Sequence, residues 1–227
     1  MDIQTPGVYT TGDGSHSVIS EQFNESYHSR HGALKESLHV FIEAGLKATK
    51  PGISLEILEV GLGTGLNAWL TMIESENSSR KIHYTGIEPY PISLEMAKTL
   101  NYPNVAIEED QEKHKSCFHR IHESDWDSPV AFSDHFTLSK IKSKLEDFNP
   151  EQQFDICYFD AFAPNAQPEL WTDEIFTKVY DLMKPNGIMV TYCAKGSVKR
   201  SLKAIGWKVE TLPGPPGKRE MIRAIKE

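Results

Sequence analysis

Residues 57–67, Ile-Leu-Glu-Val-Gly-Leu-Gly-Thr-Gly-Leu-Asn, restrict the fold more than any other stretch. An apolar strand, Leu55 to Val60, runs into Gly61, Gly63 and Gly65. A helix pattern follows at once, with Leu66, Trp69, Leu70 and Ile73 on one face. A strand that turns on glycines into a helix brings bare backbone against a ligand. Glu59, on the strand, is placed to touch the same ligand. The Gly-x-Gly-x-Gly spacing is too tight for a dinucleotide fingerprint. A strand–helix turn that holds no ligand is the alternative reading.

The rest of the chain alternates in the same way. The first twenty residues, rich in Thr, Gly and Ser, read as an extended arm, about 1–33 with its continuation. A helix is expected over 34–49, stopped by Pro51-Gly52. Strand two is Ile82 to Glu88, and Pro91 opens the next helix. Residues 104–128 read as a helical insertion. Val130 to Thr137 reads as strand three, and Leu138 to Asp147 as a helix. Phe154 to Phe159 and Gly187 to Cys193 are apolar runs typical of buried parallel strands. Helices are expected at Trp171 to Met183 and at Ser197 to Ile205, the latter capped by Gly206. Trp207 to Leu212 and Glu220 to Ile225 pair as a closing hairpin. This order predicts one α/β domain over 1–227, a mostly parallel sheet covered on both faces.

Composition narrows the function classes. At 227 residues the chain is long enough for a doubly wound core. No apolar run approaches a membrane span, and no signal pattern opens the chain. Cys117, Cys157 and Cys193 form no C-x-x-C, which reads as reduced thiols in a cytoplasmic protein. His28 with His31, and His119 with His122, have helical spacing, but no further ligand completes a metal set; they read as exposed polar residues. The net charge of −8 disfavours simple nucleic-acid binding. Yet residues 195–227 carry nine basic and three acidic residues, a net of +6 that leaves −14 elsewhere. This is a basic face on an acidic body, or equally a solvated surface.

Ligands of such sheets bind beyond the carboxyl ends of the strands. Besides the glycine loop, three segments fall there. Glu88 ends strand two, either as a partner for ribose hydroxyls or as a carboxylate at a helix N-terminus. Asp160 follows strand four in Phe-Asp-Ala-Phe-Ala-Pro-Asn, placed to receive the N–H of an acceptor amine, or else to cap a turn. Phe162 or Tyr158 offers a wall for a flat base. Tyr192 and Lys195 follow strand five.

The Glu59-x-Gly61-x-Gly63-x-Gly65 loop resembles the S-adenosylmethionine loop of class I methyltransferases. The block 160–171, Asp-Ala-Phe-Ala-Pro-Asn-Ala-Gln-Pro-Glu-Leu-Trp, is more specific. So are Ser197 to Leu202 followed by Gly217-Lys218-Arg219-Glu220-Met221, and Phe23 to Ser29 near the N-terminus. With them the chain, from about 19 to 225, resembles the MnmC/MnmD-like family of tRNA 5-methylaminomethyl-2-thiouridine biosynthesis methyltransferases.

The resemblance implies a Rossmann-like, mostly parallel seven-stranded sheet with an antiparallel last strand. It implies S-adenosylmethionine as cofactor, held by Tyr27, Glu59, Gly61, Gly63, Thr64, Gly65, Asn67, Glu88, Leu138 and Asp160. It implies methyl transfer to 5-aminomethyl-(2-thio)uridine at the tRNA wobble position, with Asp160 as the catalytic residue. Phe162, Tyr192, Lys195, Lys199, Arg200, Lys218 and Arg219 would then contact the tRNA. Family members often carry an acidic residue after strand three; here Phe136-Thr137-Leu138-Ser139 has none, so Thr137, Ser139 or backbone at Leu138 is expected to meet adenine. Two-part members continue into a flavin-dependent half, and no FAD domain is expected in this chain. Another amine acceptor, or a non-catalytic adenosyl-binding role, remains as the alternative.

Overall fold

The computed structural model describes residues 7–50, 52, 54–106 and 110–227. Residues 1–6 of the expected arm, Pro51 of the expected helix stop and 107–109 of the expected insertion lie outside the described residues.

The described N-terminal residues are not an extended arm. They form a three-stranded antiparallel meander, β1 (Val8–Thr10), β2 (His16–Ser20) and β3 (Glu25–Ser26). Val8 faces Val18 across the first pair, and both are buried. The expected helix over 34–49 is broken into three. α1 (Ala33–Ser37) passes into a π-helical turn over Leu38–Glu43, then a 3-10 turn over Leu46–Ala48. Val40, Phe41 and Ile42, consecutive in sequence, are all buried in the wider turn.

The central sheet begins with β4 (Leu55–Val60), α2 (Leu66–Ser78) and β5 (Ile82–Ile87). Short helices α3 (Leu94–Lys98) and α4 (Tyr102–Ala106) lead to α5 (Gln111–Glu123). Strands β6 (Pro129–Ala131), β7 (Phe136–Ile141) and β8 (Phe154–Phe159) follow. Then come α6 (Asp173–Leu182), β9 (Met183–Thr191), α7 (Gly196–Ile205), β10 (Trp207–Pro213) and β11 (Glu220–Lys226). The spatial order is β10-β11-β9-β8-β4-β5-β7-β6.

Strands β9, β8, β4, β5 and β7 run parallel. β11 lies antiparallel between β9 and β10, as expected of the last strand. Among the described residues the sheet has eight strands, not seven, because β6 adds an antiparallel edge to β7. The segment expected as strand then helix, 130–147, is a tight hairpin instead. Only Leu145–Asp147 is helical, as a 3-10 turn. Phe136, Leu138 and Lys140 are buried in strict alternation, a period of two that the Ile141/Leu145 spacing hides.

One core packs the turn at 38–43, α2 and α5 on one face through Phe41, Trp69 and Phe118. The other packs α6 and α7 through Phe176, Val179 and Leu202. α5 is fixed over α2 and the sheet edge at both ends. Trp69 Nε1 donates to the His114 carbonyl at 3.2 Å, and Lys140 Nζ to the His122 carbonyl at 2.9 Å. A cation at a helix C-terminus suits the dipole. The chain leaves β4 toward β5 on one side, while β8 lies on the other, so the crevice opens at the carboxyl end of β4.

Candidate active site

The glycine loop is a backbone cradle. Gly61 and Leu62 both donate to the Ile87 carbonyl, at 3.0 and 3.1 Å, tying the loop to the end of β5. Gly61 has φ 89°, and a Cβ there would sit 2.7 Å from the Asp160 carbonyl oxygen. Gly63 has φ 50°, and a Cβ would meet the Tyr27 ring at 2.9 Å. Neither position accepts a side chain. Thr64 ties the loop down from three sides. Its Oγ1 pairs with His28 Nε2 at 2.8 Å and accepts from Tyr102 at 3.2 Å. Its carbonyl accepts from His122 Nε2 at 3.1 Å. His28 and His122, read from sequence as exposed, are thus buried or half-buried clamps. Burial, first, lowers both to about 4, so each clamps as a neutral ring.

Three carboxylates meet the cradle. Glu88 is 7% exposed. Its two oxygens accept from the Gly63 and Tyr90 N–H groups at 3.0 and 2.9 Å. Burial raises its pKa, and the two N–H bonds oppose that. Glu59 is fully buried. Burial and then the charge of Asp160 push it well above the usual carboxylate range, against Asn67 and Tyr84. Asn67 Nδ2 donates to Glu59 Oε1 at 2.9 Å and to Asp160 Oδ2 at 2.8 Å. Asp160 N–H is held by the Val60 carbonyl at 3.0 Å, which fixes the turn after β8. Burial, then Glu36, raises Asp160 to about 7, while Asn67 and Lys218 lower it. Among the described residues Asn67 Oδ1 is buried with no hydrogen-bond partner. An orphaned acceptor beside Asp160, on a residue that lines the cleft, fits a ligand that brings a donor, such as an ammonium.

A cleft lies over these groups, enclosed on one side by the glycine loop and open at its mouth to solvent. Tyr27, Gly61, Gly63, Thr64, Asn67, Glu88, Asp160, Phe162 and Tyr192 all line it. Glu59 reaches it through Asn67. Gly65, at φ 71°, faces His122 and Ile121 and starts α2 instead of lining the cleft. Leu138 does not belong. It sits mid-strand in the core beside Tyr84, as Thr137 and Ser139 sit beside His83 and Thr85. Strand three runs on to Ile141, so the segment after it is 142–146, and Lys144, Leu145 and Glu146 line the cleft. A carboxylate therefore does stand after strand three, at Glu146. Tyr158 is fully buried beneath the sheet end and offers no wall.

Sequence reasoning missed part of the aromatic mouth. Phe162 packs on Phe23 and Tyr27 at ring distances of 4.8 and 4.9 Å, and Phe23 on Tyr90 at 6.1 Å. Phe162 is held by Trp171 Nε1 donating to its carbonyl at 2.7 Å and by Gln167 accepting its N–H at 3.2 Å. The signal lies in the Phe23 to Ser29 block, where Phe23 belongs to the mouth as much as Tyr27 does. Tyr27 is pushed up to about 12 by burial and Glu88.

The basic segment is less free than its charge suggests. Lys199 pairs with Glu220 at 2.6 Å, Arg223 with Glu210 at 2.7 Å and Lys208 with Glu227 at 3.3 Å. Lys195 donates to Asn165 at 2.7 Å. Lys218 turns inward: it bonds buried Glu36 and lies over the Tyr192 ring, 3.8 Å from its centre. Arg200 and Lys203 are exposed without an ion pair among the described residues. Arg219, 4.0 Å from Glu220, is 94% exposed.

A family model described as S-adenosyl-L-methionine-dependent methyltransferase matches residues 112–227. The chain belongs to this family. It is 31% identical over 215 residues to the tRNA 5-methylaminomethyl-2-thiouridine biosynthesis bifunctional protein MnmC of Campylobacter hominis, covering 91% of this chain and 31% of that protein. Against the protein of the same description from a Marinomonas species the identity is 27%, over 96% of this chain and 33% of that one. The chain thus spans about a third of the length of these relatives. The crystal structure of MnmC2 from Aquifex aeolicus superposes with a TM-score of 0.74 at 24% identity, covering all of this chain and 72% of that one. The shared fold is that of the class I methyltransferases, and the cofactor of this methyltransferase is S-adenosylmethionine.

Proposed function

We propose that this methyltransferase acts on the primary amine of 5-aminomethyl-(2-thio)uridine at the wobble position of tRNA, giving the methylaminomethyl product. The likeness to MnmC over nine-tenths of the chain supports the acceptor. The single observation that carries the chemistry is Asp160, a carboxylate at the cleft with a pKa of about 7.

Gly61, Gly63, Thr64, Asn67 and Glu88 would hold the cofactor, with Glu88 toward the ribose and Glu146 toward the base. The bound cofactor supplies an electrophilic methyl on a sulfonium. The amine needs a free lone pair aimed at that methyl, and most of the acceleration is positioning. Asp160 accepts the amine N–H and orients it. A carboxylate near pKa 7 would also take the proton that the amine nitrogen must lose and give it to water. Phe162 and Phe23, with exposed Tyr90, offer flat faces at the mouth to a base taken out of its stack. Exposed Arg200, Lys203 and Arg219 meet phosphates, and the site of action is the cytoplasm, where tRNA is. No helix among the described residues is long and apolar enough to cross a membrane.

Nucleoside analysis of tRNA from a strain lacking this protein tests the reading. Accumulated 5-aminomethyl-uridine derivatives are expected; an unchanged nucleoside profile would place the acceptor elsewhere.

A further inference from the structure

Lys218 sits in the turn joining β10 to β11, where an exposed phosphate-binding cation was expected. Instead its Nζ bonds Glu36 Oε1. Glu36 is 6% exposed and belongs to α1, 182 positions away in sequence. The second Glu36 oxygen accepts from Ser29 N–H at 2.8 Å, so the carboxylate is fixed on both sides. The same ammonium lies over the face of Tyr192, 3.8 Å from the ring centre, well inside the range for a cation–π contact. Tyr192 lines the cleft, and its hydroxyl donates to the Ala161 carbonyl at 2.8 Å, one residue past Asp160. A continuous set of contacts therefore runs Glu36–Lys218–Tyr192–Ala161 to the catalytic turn.

We infer that Lys218, fixed by Glu36, is a positioning residue for the methyl-transfer centre: it holds the Tyr192 ring against the acceptor side of the cleft and offsets the surrounding carboxylates so that Asp160 meets the acceptor ionised. The inference rests on the reading of Asp160 as the group that receives the amine. The charge balance explains why a cation is needed. Asp160 faces Glu59 from β4 and Glu36 from α1, both able to repel its negative charge. Against them stand Asn67 from α2, Lys218, and the neutral phenols of Tyr192 and Tyr84. His28, a titratable ring near Glu36 and Lys218, stays neutral above about pH 4, and the His31 ring packs against Gly217 beside Lys218. Lys218 is thus the cation that lowers the proton affinity of Asp160, and Glu36 opposes it. Glu36 alone would hurt the site. The pair together fixes a cation where one is useful, under an aromatic ring that keeps it from the acceptor itself.

The two members must then act in opposite directions, which a merely structural pair would not do. The test follows the Asp160 carboxyl by carbon NMR in aspartate-labelled, cofactor-bound protein, with the resonance assigned through Asp160→Asn. The midpoint should rise by roughly half a pH unit or more in Lys218→Met and fall in Glu36→Gln. The double variant should return toward the wild-type value, and Lys218→Arg should match it. Single-turnover methyl transfer at pH 7 should drop about twofold or more in Lys218→Met with cofactor affinity unchanged, because a half-unit rise from about 7 takes the ionised fraction of Asp160 from about a half to about a quarter. An unmoved midpoint in folded Lys218→Met, or shifts of the same sign in both single variants, would overturn the assignment. If Lys218→Met does not fold, Glu36→Gln and the double variant decide it by the same criterion. The titration uses no acceptor, so it stands apart from the tRNA reading. A failed tRNA assay with opposite shifts intact would discard the acceptor and keep the pair.

Discussion

Asn67 Nδ2 reaches Asp160 Oδ2 at 2.8 Å while also holding Glu59 at 2.9 Å, so one amide keeps two acids in register. Both are raised above the usual carboxylate range, so each carboxylate is a charge the fold tolerates at a cost. Asn67→Asp would set a third carboxylate between them. It should weaken S-adenosylmethionine binding at least tenfold at pH 8, with partial recovery near pH 5 as the acids protonate. Calorimetry at the two pH values checks this, and pH-independent affinity would show that Asn67 acts on the cofactor alone.

Glu88→Ala should weaken cofactor binding by about 1–3 kcal/mol, the scale for stripping partners from buried polar groups. The same carboxylate also receives the Gly63 and Tyr90 N–H groups. The loss should therefore come with a looser glycine loop, seen as faster amide exchange at Gly63. Unchanged affinity in a folded Glu88→Ala variant would take Glu88 out of the site.

Asp160 should be expensive as well as useful. An unfolded Asp titrates near 3.8, and Asp160 in the fold at about 7. The native state therefore binds the extra proton between these values, and this group's contribution to stability falls as pH rises through that window. Asp160→Asn should gain on the wild type as pH rises from 4 to 7, reaching about 1–3 kcal/mol at pH 8. Methyl transfer should drop by roughly two orders of magnitude. Urea denaturation across pH and single-turnover rates check both. A variant equally stable and nearly as fast would make Asp160 a turn residue.

Strongly local signals carried most of the architecture. The run 154–159 is the whole of central strand β8, short and apolar as a strand buried on both faces must be. The Gly61-x-Gly63-x-Gly65 loop and Asp160 announced the cleft because their chemistry is written in adjacent residues. What escaped was set by distant partners. The pattern of β7 misleads because Lys140, a residue that favours the surface, is 1% exposed with its ammonium on the end of α5. The strand therefore runs on to Ile141, and Glu146 is the carboxylate that follows it. Lys218 looked like a surface cation because its counter-charge, Glu36, lies in another element. His28 and His122 looked polar because Thr64, which unites them, is far from both in sequence.

Charge pairing redirects the tRNA test. Lys199 is engaged by Glu220, whereas Arg200, Lys203 and Arg219 are exposed. Changing these three to Ala should raise the tRNA Michaelis constant and leave cofactor affinity intact. The salt dependence of tRNA binding should flatten by roughly one unit of slope for each phosphate no longer neutralised. An equal slope in the triple variant would mean that tRNA docks on another face.

The most direct measurement of the central claim is methyl transfer by the purified protein. It would use labelled S-adenosylmethionine and tRNA whose wobble uridine carries the free aminomethyl group, followed by nucleoside analysis. The predicted result is label in 5-methylaminomethyl-(2-thio)uridine alone, lost in Asp160→Asn although the cofactor still binds. Label absent from that tRNA while the protein binds S-adenosylmethionine, or transferred equally well by Asp160→Asn, would contradict it.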